Sequence, residues 1–278
     1  MTTGIIIMVI KNKSRASIKK LLTFSLVGLI SLISLISFNS FGDSMDLNDF
    51  FDRDTSLLIS TIEKLDRNQS NDLIQRGANL NIHGEDGITP LFWLLINGNY
   101  NSIKLALELG ADPNYKAVDG RHAVPSIAGS KNDDILSLLL EFGGNPDALD
   151  LNGYPAIFSS IATDNWKQIN MLIKAGADLN STDKSNENAP LHAAALNKFE
   201  ISYKLIELGA SYNNASTSGG TLANRIDQKL SKNLLSPKFE AYGWAIKTKE
   251  LLISKGVRFP PYSPKEVRER IKNGQPIN

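Results

Sequence analysis

No cysteine occurs among the 278 residues, which excludes disulfides, thiolate metal ligands, a thiol nucleophile and a lipid-modified N-terminal cysteine. Histidine is nearly as scarce: His83, His122 and His192 lie far apart, so no pair stands at metal-ligand spacing. A Gly-rich phosphate loop, a His-Glu-x-x-His helix and a nucleophile elbow are missing too. With so little material for catalysis, neither enzyme activity nor a cofactor or metal is expected. Acidic residues are missing from the N-terminus. Positions 1–42 hold five basic residues and no Asp or Glu, so the formal charge of +1 conceals 25 basic against 29 acidic residues over the rest. A remainder with a net charge of −4 gives no support for a nucleic-acid partner, which needs a concentrated basic face.

The acid-free segment reads as an export signal. Lys11, Lys13, Arg15, Lys19 and Lys20 precede an 18-residue run, 21–38, interrupted only by Ser, Thr and Gly. Ser40-Phe41-Gly42 then offers small residues where a signal peptidase reads, so the mature chain would begin at Asp43. The same run is just long enough to remain as an uncleaved anchor, which would be the chain's one membrane contact. Initiation at Met8 would give a more ordinary basic leader, and initiation at Met45 a cytosolic form without one.

Beyond the leader, what is abundant is periodicity. Gly77, Gly110, Gly143, Gly176 and Gly209 recur every 33 residues, in frames such as Gly77-Ala78-Asn79-Leu80-Asn81 and Gly176-Ala177-Asp178-Leu179-Asn180. Each follows an apolar run with helical spacing, for example Ile103, Leu105, Ala106, Leu107 and Leu109, and glycine there is a helix stop. Ten residues on, Asp86-Gly87, Asp119-Gly120 and Asn152-Gly153 mark turns. Thr89-Pro90-Leu91 and Ala189-Pro190-Leu191-His192 then place Pro at a helix start. A fixed period of this length denotes stacked helical units, a mainly α solenoid.

The unit resembles the ankyrin repeat, whose Thr-Pro-Leu-His-x-Ala signature is best kept in Ala189-Pro190-Leu191-His192-Ala193-Ala194. The likeness covers residues 55–260 and implies a solenoid of helix-turn-helix units with hairpin tips, about five to six repeats including caps. Its organisation would be 1–42 export signal or anchor, 43–81 N-terminal cap and first repeat, 82–213 four repeats, 214–260 an extended last repeat, and 261–278 a capping helix. Gly256 lies 47 residues after Gly209, so the last repeat carries about 14 extra residues, expected near 229–238 between helices at 221–230 and 241–254. Ser263-Pro264-Lys265-Glu266 combines N-cap, first-turn proline and capping box for a helix that closes the stack.

In such stacks the tips and the exposed side of each first helix line one concave surface. Candidate partner-binding residues on the tips are His83, Glu85, Asp86, Tyr115, Lys116, Val118, Asp119, Leu149, Asp150, Leu151, Asp183, Lys184, Asn186 and Glu187. First helices add Trp93, Ile96, Asn97, Ser130 and Thr163, with Trp93 either an anchor or part of the groove wall. Trp166 and Trp244 are expected between second helices. Gly42-Asp43-Ser44 and Asp119-x-x-His122 match the ends of a GDS-type lipase signature only superficially, since Ser44 follows a leader instead of a strand with an oxyanion site. An exported, disulfide-free ankyrin-like chain points to a bacterial periplasm and a protein partner. The resemblance extends to immunity proteins that neutralise type VI secreted lipase or phospholipase effectors. It also extends to periplasmic helpers of catalases and to host-directed ankyrin effectors.

Overall fold

The glycine period becomes visible as helix starts in a computed structural model, which describes residues 46–97 and 99–277. The expected export signal and Met45 lie outside the described residues. Those residues are mainly helical, with thirteen α-helices, short 3-10 turns and no strand. The helices come as six pairs and a single: α1 Arg53–Glu63 with α2 Arg67–Gln75, α3 Pro90–Asn97 with α4 Tyr100–Glu108, and α5 Ala123–Ile127 with α6 Asp133–Glu141. Then follow α7 Ala156–Ala162 with α8 Trp166–Lys174, α9 Ala189–Ala195 with α10 Phe199–Glu207, α11 Leu222–Ser231 with α12 Glu240–Ser254, and α13 Pro264–Lys272. Second helices begin at Arg67, Tyr100, Asp133, Trp166 and Phe199, each 33 residues after the last.

Every substantial helix contact joins members of one pair or of successive pairs. First helices meet first helices, as in α5 with α7 and α9 with α11, and second helices meet second helices, as in α6 with α8 and α10 with α12. The core follows this order. One buried cluster runs from Phe51 to Ala210, and a second joins Leu191, Phe199 and Ile206 to Leu222, Ile226, Leu252 and Val257.

Each second helix stops at a glycine with φ between 83° (Gly143) and 104° (Gly77). A Cβ at Gly77, Gly110, Gly143, Gly176 or Gly209 would meet nothing within 4 Å, so glycine is needed there for its backbone angle and not for space. The last residue of the frame joins neighbouring pairs. Asn81 Oδ1 accepts from Asp112 N at 2.8 Å, and its Nδ2 donates to the Gly110 carbonyl at 2.9 Å. Asn114 repeats both bonds on Asn145 N and the Gly143 carbonyl. Asp147 and Asn180 accept from Asp178 N and Ser211 N, again 31 residues on.

Two departures from the period have identifiable causes. Of the 14 extra residues near the C-terminus, eight precede α12 and six lengthen it to 15 residues. The α13 helix starts on the expected capping box, buries Val267, and receives a 2.6 Å hydrogen bond at Tyr262 O from Asn224 of α11. The second departure is α5, only five residues long, which ends at Ala128 with Gly129 at φ 79°. The loop that replaces its missing turn is held by buried Gln168 of α8. Gln168 Oε1 accepts from Gly129 N at 2.7 Å, and Nε2 donates to Ser130 O and Asp133 Oδ1 at 2.9 Å each. Replacing Gln168 by the similarly sized Met strands Gly129 N, Ser130 O and the buried Ser160 hydroxyl, while Asp133 keeps its bond from Asn165. We expect a loss of about 2–4 kcal/mol in urea unfolding, and an unchanged midpoint would show that water substitutes for the amide.

Candidate protein-binding surface

The loops between pairs set the geometry of the candidate surface, and their carboxylates are occupied locally. Asp119 accepts from Arg121 N and Nε, Asp150 from Asn152 N and Tyr154 N, and Asp183 from Ser185 N and Glu187 N. Short acids closing turns two to four residues ahead are Asx-type turns. These three aspartates were expected to select a partner, but each has a structural task. Asp119 is also committed to Arg121 and not to His122, which leaves the superficial lipase motif without its acid–imidazole pair.

Neighbouring tips are tied at their bases. Val118 N donates to Gly87 O at 3.0 Å and Thr217 N to Ser185 O at 2.8 Å. His83 Nε2 lies 2.9 Å from Lys116 O, and its ring stacks on Tyr115 at 4.8 Å and 24°. Tyr115 is therefore half-buried between tips instead of standing free for a partner. Asn186, at φ 59°, donates to Ala215 O at 2.7 Å and is likewise a loop tie.

Candidates on the first helices fare differently. Trp93 is 7% exposed: Phe50 and Phe51 cover it at 5.3 and 6.3 Å, and its Nε1 donates to Glu63 at 3.3 Å. The anchor position is taken by the chain's own N-terminal turn. Ser130 belongs to the loop that Gln168 holds, and Thr163 caps the far end of α7 with its hydroxyl on Ser159 O at 3.1 Å. Ile96 is half-buried, and Asn97 lies in α3 with its side chain outside what is described. Trp166 and Trp244 do sit on second helices, where Lys204 of α10 approaches both rings at 4.6 and 5.9 Å.

What stays uncovered is a row of apolar tips. Val118 is 68% exposed, Leu149 44%, Leu151 41% and Tyr154 39%. Leu151 faces Gly120, where a Cβ would come to 3.9 Å, so the second and third tips are contiguous. Glu85, Asp86, Lys116 and Lys184 are exposed around this row. The Lys184 stem runs across Gly153, whose added Cβ would lie 2.8 Å from Lys184 Cε.

Tyr154 of this row and three residues beside it, Arg121, His192 and Arg225, make contacts that the sequence did not single out. Arg121 lies over Phe92 at 5.5 Å, and Tyr154 completes a stack with Phe158 and His192. His192 meets Phe158 at 4.1 Å and 18°, so the imidazole is held by ring faces. Burial lowers its pKa to about 4. Beyond it, Arg225 pairs with Glu187 and leaves Nε buried without a partner. Desolvation pushes the Glu187 carboxyl up, with Arg225 opposing. The signal for two of the four was a repeated position: Arg121 and Tyr154 each follow a turn glycine.

Among the described residues no group of three or more His, Asp or Glu is placed to hold a metal ion, and no helix is long and apolar enough to cross a membrane. No protein-family model matches the chain, and no curated protein matches it.

Two outcomes follow from this geometry. Tyr115→Ala should lower stability by about 1 kcal/mol through the lost tip-to-tip stack, whereas Leu151→Ala should leave the thermal midpoint unchanged. His192 has a folded pKa below its ordinary 6.5, so its contribution is complete above pH 6.5 and is lost as pH falls towards 4. Glu187 acts in the opposite sense, so the comparison must be with His192→Phe. Between pH 7 and 4.5 the native chain should lose about 2 kcal/mol relative to that variant, after discounting for partial exposure. Parallel urea curves at both pH values would refute the shift.

Proposed function

We propose that the chain is a non-catalytic ankyrin-type solenoid that binds another protein through its hairpin tips. The observation that carries this reading is the exposed row of Val118, Leu149, Leu151 and Tyr154 on loops cross-tied at their bases. Loops already fixed by hydrogen bonds lose little conformational freedom on docking. A contiguous apolar strip rimmed by charge is the usual form of a protein-binding patch. The rim is of mixed sign, Glu85 and Asp86 beside Lys116 and Lys184, so its charges select among partners more than they tighten the complex.

The ankyrin assignment is supported by the 33-residue spacing of helix starts, the glycine stops and the Ala189-Pro190-Leu191-His192 segment. Together with the leader-like residues 1–42, it supports a specific role in the bacterial periplasm: immunity against a type VI secreted lipase or phospholipase. The row would cover the toxin's substrate entrance, and a form begun at Met45 would hold the toxin in the cytosol. Steric blockade of this kind requires neither a catalytic residue nor a cofactor.

The test pairs the purified chain with type VI secreted lipases, taking first any that the gene beside its own encodes. Wild type should suppress the lipase on a lipid emulsion, and Val118→Asp with Leu151→Asp should weaken binding roughly a hundredfold at an unchanged melting temperature. Undiminished inhibition by the double variant would remove the tips from the interface, and ester hydrolysis by the chain alone would sink the non-catalytic reading. In cells, deleting residues 1–42 should abolish protection against toxin arriving from outside.

A further inference from the structure

The eight residues inserted before α12 break two local rules without a structural return. At the end of α11, Asn233 takes φ 51° and Leu234 N donates to Lys229 O at 2.9 Å, a stop in which the following apolar side chain normally folds back on the helix. Leu234 instead remains 55% exposed. Phe239 then occupies the N-cap of α12, makes no capping hydrogen bond, and is 70% exposed. A Ser, Thr, Asp or Asn there would stabilise the helix start, so an aromatic at this position gives up stability.

Charge supplies the second, independent observation. No acidic residue lies between Asp227 and Glu240, while Lys229, Lys232 and Lys238 flank the two exposed apolar side chains and form no ion pair with the described residues. The imbalance extends to the whole C-terminal end. Residues 228–278 hold 11 basic and four acidic residues, against 14 basic and 25 acidic over 43–227. The net −4 of the chain beyond the leader is an average of two opposite fields.

We infer that this end of the molecule docks on an anionic lipid surface, with Phe239 and Leu234 entering the headgroup region and Lys229, Lys232 and Lys238 meeting lipid phosphates. Exposed apolar side chains with lysines close by in the sequence gain from such a surface on both counts and need no preformed groove. A nucleic acid would use the lysines but leave Leu234 and Phe239 in water. The inference is independent of the protein-binding role of the tips, since it concerns the opposite charge and other loops. Docking this way would also hold the acidic portion of the chain away from the lipid charge.

Flotation of the full chain with vesicles tests it. Vesicles of phosphatidylcholine with one quarter phosphatidylglycerol should carry the chain upward far better than phosphatidylcholine alone. Lys232→Gln with Lys238→Gln should weaken that binding about thirtyfold. Phe239→Ser should weaken it about tenfold. The circular dichroism melt of the lysine variant should superimpose on wild type, whereas Phe239→Ser, which supplies a capping hydroxyl to α12, should melt at or above it, so neither loss of binding can come from unfolding. Equal binding to both vesicle types, as the apolar run 21–38 alone would give, overturns the inference, and so does anionic binding that the substitutions leave intact. Lipid-free self-association lost in the lysine variant, with no vesicle binding, would instead identify the acidic face of a second copy as the occupant.

Discussion

The architecture depends on how loop backbone is satisfied between one helix pair and the next. Each pair buries its helices well, but the segment that follows the glycine stop carries polar groups with no ladder of their own. Asn81, Asn114, Asp147 and Asn180 solve this by reaching one unit forward to an amide 31 residues away. These bonds lie at the surface, so each one contributes on the order of 1 kcal/mol, and it is their repetition at four successive seams that fixes the register of the units. The period of the sequence is therefore the period of this contact. Inserting a residue within the span would separate side chain from amide, whereas the eight residues before α12 lie beyond the last bond of the series.

Much of this was legible because it rests on local chemistry. Glycine after an apolar helix and a capping box around Ser263 and Glu266 are short-range signals, and both appear where expected. The extra length after Gly209 was also visible, and so was its division between a loop and a longer α12, since the helices expected at 221–230 and 241–254 are found at Leu222–Ser231 and Glu240–Ser254. The candidate surface was less legible. Asp119, Asp150 and Asp183 look like recognition groups in sequence, yet a short acid beside turn amides bonds to them before any partner arrives. Trp93 could not be resolved without Phe50 and Phe51, which lie about forty positions earlier and outside any repeat. Gln168 is a similar case, because its partners belong to a neighbouring unit whose helix stops early.

The described chain also divides its labour by position. Polar work within tips is internal, leaving aliphatic side chains as the uncommitted groups of that surface. Towards the C-terminus the core becomes a separate cluster around Leu222, Ile226 and Leu252. A distinct core allows the last pair to carry an irregular insertion without disturbing the pairs before it.

One member of the inter-unit series differs from its neighbours in a single atom type. Asn81 and Asn114 bond in both directions, but Asp147 has no amide hydrogens and can only receive. The seam between α6 and α8 thus lacks the donor that stitches the two seams before it. It is also the seam where Gln168 and Asn165, within and beside α8, reach back to the 129–133 segment, so the grip missing at the loops is supplied at the helix ends. Loss of Gln168 would therefore be felt as a parting of two helix pairs and not only as a loosened loop.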